Sequence, residues 1–477
     1  MDLHSYTIRS NMKKILLFLI LLCYGNALAY TETFYVCQGG DGSSPETSTC
    51  STAWDADDFS SSGNWDTDVQ NDGNIGPDDL IIFLVEGGTI TGTSSAGVLI
   101  INGSGLDGFP ITLQAEAGQT PVIDGENARE CLVSFSDDYI TVTGMRFTRG
   151  NRYGFEAYDG DNWIIEDCIA DNSADDNFIF TGDNGVIRRC ESYSASDNAI
   201  YLTGDDGSAA DNWTVEYCYL HDNTSSGVQV NSESVTELNT SIVVRYNWIE
   251  NNDNTGINEL GSQGAHYYGN VIIGDNPSAA GIYIDHDGLG TIPDSIEVYN
   301  NTFYGDFNYG INIDSNTSGH IIKNNIFYVT SGYLIYISSG SSGSFSYNLY
   351  YRTGGYTNAW SVPGSTPDSL VQWEATAYAA DEESGDPLFT TNGTDFTLGI
   401  GSPAISAGDD LGDSLLYGID PNDNLVGNFG VSSDVTPIDF DLWGIANSWE
   451  MGAYGYGSSV PANAIQGVTI SKLIIKE

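Results

Sequence analysis

Basic residues are what this chain has least of. Lys and Arg number 14 against 65 Asp and Glu in 477 residues, a net charge of -51. Such a surface cannot build the basic stripe that counterion-release binding to nucleic acid needs, and anionic membranes repel it. Strong helix formers are scarce, and beyond the N-terminal region no run is apolar enough to span a bilayer. What is plentiful is 56 Gly and 29 Tyr, with many Asn, Ser, Thr, Ile and Val, a composition of strands and turns. With 40% hydrophobic residues the chain still buries a large core, so its acids are the solvated surface of a folded protein and not a mark of disorder.

Lys13 and Lys14 precede an apolar run over 15–23, and Ala27-Leu28-Ala29 forms a small-residue cleavage site. Residues 1–29 therefore read as a bacterial-type export signal, which predicts a secreted or cell-surface protein. Leu22 before Cys23 argues against a lipid anchor. Disulfides persist in that compartment, and Cys37 and Cys50, which bracket a polar loop, are expected to pair. The pairing of Cys131, Cys168, Cys190 and Cys218 stays open.

One phrase recurs through the middle of the chain: WIIEDCIADN, GVIRRCESYS, WTVEYCYLHDN, IVVRYNWIENN, HYYGNVIIGDN, EVYNNTFYGD, IIKNNIFYVT and FSYNLYYRTGG. Its shared slot falls at Cys168, Cys190, Cys218, Asn247, Asn270, Asn301, Asn325 and Asn348, with Met145 as an earlier member. Three residues before each slot lies an apolar residue, and a short phrase such as GVQV or GINI follows. Each repeat thus holds three short strands joined by turns. Period-two strands at a period in the twenties, without intervening helices, predict a β-solenoid whose coils stack about 4.8 Å apart. A sandwich is the rival, but it gives no reason for one slot to hold one residue type in coil after coil. Stacked Asn side chains hydrogen-bond along the solenoid, which does give a reason. The Cys members read as small inward residues of the same slot.

The stretch INGSGLDGFPITLQAEAGQTPVIDG (101–125), the slot repeats, and the tail with DPLF, DFTLGIGSPAISAGD and WEMGAYGY resemble secreted right-handed parallel β-helix proteins of the pectate-lyase-like superfamily. The tail is similar to a choice-of-anchor Q region. The resemblance implies an all-β parallel β-helix of roughly ten or more coils. Its divisions would be a cap and first coils over 30–125, repeats over 126–352, a β-rich C-terminal cap over 353–457, and a linker with a terminal strand over 458–477. It also implies action on an extracellular polysaccharide by a lyase or glycoside hydrolase. The alternative is a non-catalytic adhesin, glycan-binding rod or filament protein. The Lys and Arg-His-Gly signatures of alginate lyases and the Gly-His-Gly and Arg-Ile-Lys signatures of polygalacturonases are missing.

In that family activity lies on the third turn of a coil and the strand after it. Here most such turns end in Gly (Gly154, Gly227, Gly256, Gly281, Gly310), expected to supply a backbone conformation that other residues resist. Two coils depart, with Asp175-Asp176-Asn177 and Ser196-Asp197-Asn198, and matching these triplets stacks Asp176 beside Asp197. Arg149, Arg152 and Glu156 fall one coil earlier, and His221 and Asp222 one coil later. Stacked carboxylates need a shared proton, an Arg or a hard cation. Asp176, Asp197, Arg152, Glu156 and His221 are the candidate catalytic residues, with Arg149, Asn177, Asn198 and Asp222 as substrate contacts. Asp175, Asp176 and Asp197 would hold Ca2+, with Arg152 or Arg149 drawing off a uronate ring proton. Without a cation, Asp176 and Asp197 would act as acid and base. Residues 465–477 are expected to form a peripheral strand, and 386–456 to cap the last coil. The oligomeric state is left open.

Overall fold

A computed structural model describes residues 32–67, 73–205, 207–286, 288, 292–411, 418–419, 437–438, 449–454 and 456. The export signal and the terminal strand lie outside the described residues. Thirteen strands, from Thr33–Val36 to Ala379–Ala380, stack in one ladder whose neighbours all pair in parallel. Two further parallel ladders merge into a 20-stranded sheet, because Thr302–Ile313 and Ile326–Ile337 run through the corner between them. Parallel pairing between successive coils excludes the sandwich and makes the chain a β-solenoid. Among the described residues no helix is long and apolar enough to cross a membrane.

A typical coil consists of Ile164–Glu166, Ile169–Asp171 and Phe178–Phe180. The corner between its first two strands turns on one left-handed residue immediately before the slot. Gly144, Asp167, Arg189, Tyr217, Tyr246, Gly269, Asn300, Asn324 and Tyr347 all have φ between 51° and 77° there. Most are not Gly, so the chain accepts local strain at each level to turn sharply and bury the slot. The third-turn glycines behave differently from the expectation, since none of them has a positive φ. A Cβ on Gly256 or Gly281 would instead lie 2.6 Å from the carbonyl oxygen of the next coil's glycine. They are Gly because coils touch backbone to backbone at this edge.

The slot forms the expected ladder. Asn247 donates its backbone N–H and Nδ2 to Asn270 Oδ1, both at 3.0 Å, and the same pair of bonds repeats through Asn301, Asn325 and Asn348. Glu382 ends it by accepting from the Asn348 N–H at 2.7 Å. Each amide also satisfies a carbonyl of the preceding coil, such as Asn301 Nδ2 to Tyr267 O at 2.8 Å. Cys168, Cys190 and Cys218 continue the slot as buried free thiols, whereas Cys131 lies on the strand Glu130–Phe135 in another ladder. Cys37 and Cys50 are joined as a disulfide. Inside, rows such as Ile165, Ile187, Val215 and Val244 are fully buried, each contributing about 1.5–3 kcal/mol.

Both ends of the stack are covered. At the first, Ala56–Phe59 starts with a capping box from Asp55 and buries Phe59 against Trp65 and Phe83. At the second, the helix Leu370–Glu374 lays Trp373 on Trp360, with ring centroids 5.9 Å apart, and edge-on to Phe345. The expectation that 386–456 caps the last coil falls on a stretch of which 412–417, 420–436, 439–448 and 455 lie outside the described residues. Its described part lies along the flank, where Phe389, Phe396, Trp449 and Met451 cover the outward Trp248, Tyr304 and Tyr328. Asn300 Nδ2 donates to Glu450 O at 2.9 Å, and Lys323 pairs with Asp409 at 2.7 Å. The solenoid end is already sealed by Trp373, whereas the aromatic flank would otherwise face water.

Candidate active site

The third corner of each coil and the strand after it are positioned by the inward row Phe155, Phe178, Ile200 and Val228, paired level to level. Counting back from that row places Asp175 against Asp197 and Asp176 against Asn198. Matching the two similar triplets was one residue out of phase, because the strands of these two coils pair at an offset of 22 residues whereas the triplets lie 21 apart. The backbone agrees, with Asp197 N–H donating to Asp175 O at 3.0 Å. One oxygen of Asp176 accepts from Asn198 N–H at 3.0 Å and from its Nδ2 at 2.8 Å.

The three carboxylates still meet. One oxygen from each of Asp175, Asp176 and Asp197 lies within 4.8 Å of the others. They line a cleft of about 720 Å³ together with Arg152, Tyr153, Glu156, Tyr158, Tyr201 and Glu233. Asp176 is only 3% exposed. Burial, reinforced by the charges of Asp175 and Asp197, pushes its pKa up to about 8 against the pull of Asn198. Burial also raises Asp197, opposed by Ser225. Glu156 is pushed up to about 7 by burial and by Glu130, with Arg152 working the other way. Arg152 contacts Asp175 at 3.5 Å and the Tyr153 hydroxyl, with its guanidinium 4.5 Å from the Tyr153 ring centre.

Hard cations bind oxygen at about 2.3–2.6 Å, so donors on opposite sides of one ion stand about 5 Å apart. Three carboxylate oxygens within 4.8 Å fit such an ion, and a cation offsets the cost of ionising Asp176 in a desolvated place.

The other expected residues do not reach the cleft. Arg149 turns back one coil and pairs with Asp124. Asn177 is fully buried, its Nδ2 bound to Ala170 O, Ser192 Oγ and Tyr193 O. Asn198 is equally buried, between Asp176 and the Ser226 N–H. His221 stacks on Tyr219 and bridges Asp222 and Glu191 on a different face. Asn177 and Asn198 therefore shape the corner without offering themselves to a ligand. The cleft's aromatic wall was missed. Phe135 and Tyr158 lie parallel with centroids 6.4 Å apart, and Tyr201 donates to Glu233 at 2.7 Å. Burial holds the Tyr158 hydroxyl at about 12, so it stays a proton donor. The signal was present: Tyr201 stands at the outward position of Glu156 two coils on.

The family described as "Right handed beta helix region" matches residues 83–272. Among solved structures, a pectate lyase superposes with a TM-score of 0.54 at 16% identity, over 90% of this chain and 98% of its own. An alginate lyase from Paenibacillus sp. str. FPU-7 gives a TM-score of 0.37 at 15% identity, over 60% of this chain and 92% of its own. The A-module of a mannuronan C-5 epimerase from Azotobacter vinelandii gives 0.44 at 13%, over 64% and 91%. No curated protein matches the sequence. The coil-on-coil parallel ladders and the family match together identify the chain as a right-handed parallel β-helix protein.

Proposed function

We propose that this is an exported carbohydrate-active enzyme that cleaves an acidic polysaccharide in the cleft, with Asp175, Asp176 and Asp197 holding Ca2+. The observation that carries the reading is the convergence of three carboxylate oxygens within 4.8 Å on the floor of a cleft with an aromatic wall. The full-length superposition on a pectate lyase supports it, as does the export signal read from the sequence. Bound Ca2+ would offset two of the triad's three negative charges, take a uronate carboxylate as a further ligand and acidify the adjacent ring proton. Without that offset, a cleft lined by Glu156, Asp175, Asp176, Asp197, Asp205 and Glu233 repels polyuronates.

The chain's own groups supply the rest. Phe135 and Tyr158 offer flat faces to a sugar ring. Glu156, titrating near 7, is poised to take the ring proton next to the uronate carboxylate. Arg152, whose charge Tyr153 and Asp175 favour against burial, stays a cation. It stabilises the developing anion in place of the proton-abstracting role that the sequence suggested for it. Breaking the glycosidic bond at the β-carbon then leaves an unsaturated sugar end, and the departing glycosidic oxygen takes a proton from solvent to leave as a hydroxyl.

One observation favours a second reading. With a pKa near 8, Asp176 holds a proton at neutral pH when no cation is present, and beside Asp197 it forms an acid–base pair for hydrolysing a neutral glycan. A polysaccharide panel assayed with Ca2+ and with chelator separates these. Unsaturated ends that need Ca2+ and vanish in Asp176→Ala with Asp197→Ala support the first. Reducing ends without unsaturation, untouched by chelator, select the second. No release from any glycan overturns both and leaves the non-catalytic glycan-binding rod.

A further inference from the structure

The thirteen-stranded ladder, on a different side of the solenoid from the cleft, turns a neutral face outward. Pairing sets its outward side chains in two rows. One is Thr or aliphatic at every level from Thr33 to Val243, and the other is uncharged from Tyr35 to Thr143 and then runs Glu166, Arg188, Glu216, Arg245. Two Glu balance two Arg, so these rows carry no net charge in a chain whose own net charge is -51. All of their residues but Glu216 are partly exposed. At the next two levels Tyr268 and Tyr299 belong to the cluster that the tail covers.

The four charges alternate in sign along the solenoid axis. Within the chain Arg188 pairs with Glu166 and Arg245 with Glu216, both at 2.6 Å. Among the described residues, the side-chain bonds to each carboxylate all end on Oε2, and those of Arg188 leave from Nε and Nη2. Oε1 of both acids and Nη1 of Arg188 are left for a group arriving from outside. An order of minus, plus, minus, plus read backwards is plus, minus, plus, minus. A twofold axis lying along the strands, between the Arg188 and Glu216 levels, therefore brings opposite signs together at all four levels. Moving the axis half a level sets Arg188 or Glu216 against itself. Moving it a whole level leaves two of the four charges facing Thr143 and Gln114, or Tyr268 and Tyr299. Parallel packing lays the charged row on the Val186 row, where its desolvation is not repaid.

We propose that the outer face of the thirteen-stranded ladder is a self-association surface, on which a second copy of this chain docks face to face and antiparallel. Glu166 meets Arg245 of the partner subunit, and Arg188 meets Glu216 of the partner subunit. Beside them Ile164 meets Val243 of the partner subunit, and Val186 meets Thr214 of the partner subunit. Packed sheets cross at about 30°, and the four charged levels span about 14 Å, so the crossing displaces the outermost pair by only about 4 Å. Arg and Glu side chains reach across that. Repulsion between two strongly acidic molecules selects this face, because it is where their charges balance. Both clefts stay open, so association does not depend on cleavage.

Sedimentation equilibrium of the full chain over a dilution series tests this. The wild type should approach twice the monomer mass as concentration rises. Arg188→Glu sets Glu against Glu216 twice in each dimer, and Glu216→Arg sets Arg against Arg188 twice, so either alone should weaken association about a hundredfold. Mixing the two variants in equal amounts restores opposite signs at every level and should restore the dimer. Folding failure cannot produce that rescue. Asp176→Ala should associate as the wild type does. The proposal is overturned if the wild type stays monomeric throughout, if either charge variant dimerises like the wild type, or if the mixture stays monomeric.

Discussion

Asn198 gives both its backbone N–H and its side-chain amide to a single oxygen of Asp176, at 3.0 and 2.8 Å, from one coil to the next. That clasp holds a carboxyl group almost out of water, beside the carboxylates of Asp175 and Asp197, with one oxygen of each of the three within 4.8 Å of the others.

A pH dependence of stability follows. The folded pKa of Asp176, about 8, lies above its ordinary value of 3.8, because burial disfavours the charge. The folded state therefore holds the proton more tightly. The stabilisation is full below about pH 4 and is lost as pH rises toward 8, by up to about 1.4 kcal/mol per pH unit. Asp176→Asn keeps an acceptor for Asn198 and removes the titration. Chemical denaturation at pH 5 and pH 8 in chelator should show a smaller difference for this variant than for the wild type, and a higher midpoint at pH 8. Equal pH dependence in the two proteins would refute the assignment.

Ca2+ should act through the same group. Ligand binding to the folded state alone adds RT ln(1 + [L]/Kd), about 2.7 kcal/mol at a hundredfold excess over Kd. Millimolar Ca2+ should raise the melting temperature of the wild type and leave Asp176→Asn with Asp197→Asn unmoved, with chelator reversing the shift. A wild-type melting curve indifferent to Ca2+ speaks for the proton-sharing pair.

Asn301→Ala removes one rung from the middle of the amide ladder. The Asn270 N–H and Nδ2 lose their shared acceptor, and the carbonyls of Tyr267 and Tyr299 lose a donor, all in a fully buried place. A loss of about 3 kcal/mol is expected from the stranded groups, read as a lowered urea midpoint with an unchanged slope. A change below about 0.5 kcal/mol would mean that the rungs act independently of one another.

Gly281→Ala tests close approach without a conformational confound. The new Cβ would stand 2.6 Å from Gly310 O and from the Phe303 ring, while the backbone at 281 is ordinary for any residue. Overpacking of this kind costs about 1–3 kcal/mol. A neutral result in thermal unfolding would show that the coils can separate at this edge.

Much of the fold is legible in residues. The Asn slot, the apolar position three before it and the period in the twenties are local repeats, and each repeat needs only its neighbours to bury its face. The Cys37–Cys50 pair was legible for a similar reason, since both ends belong to one short loop. Of the expected residues, Arg152, Glu156, Asp175, Asp176 and Asp197 line the cleft, and they were legible together because they cluster at one corner of successive coils. Arg149, Asn177, Asn198, His221 and Asp222 share that corner in sequence, but their side chains leave it. A polar residue at a bend satisfies buried backbone as readily as it faces a cleft, and Asn177 and Asn198 do the former.

The sequence by itself determined that the chain stacks coil upon coil, which slot runs up its core, and roughly where its acids converge. Only the tertiary structure decided which acid stands beside which. A shift of one residue turns a side chain to the other face of a strand, and two triplets as alike as Asp175-Asp176-Asn177 and Ser196-Asp197-Asn198 align by resemblance one residue away from where hydrogen bonds align them. It also decided that Trp449 and Met451 return to the flank at Trp248 and Tyr304, leaving the stack's end to Trp373. Those contacts span more than a hundred residues of chain, and apolar burial is non-directional, so no local pattern carries their address.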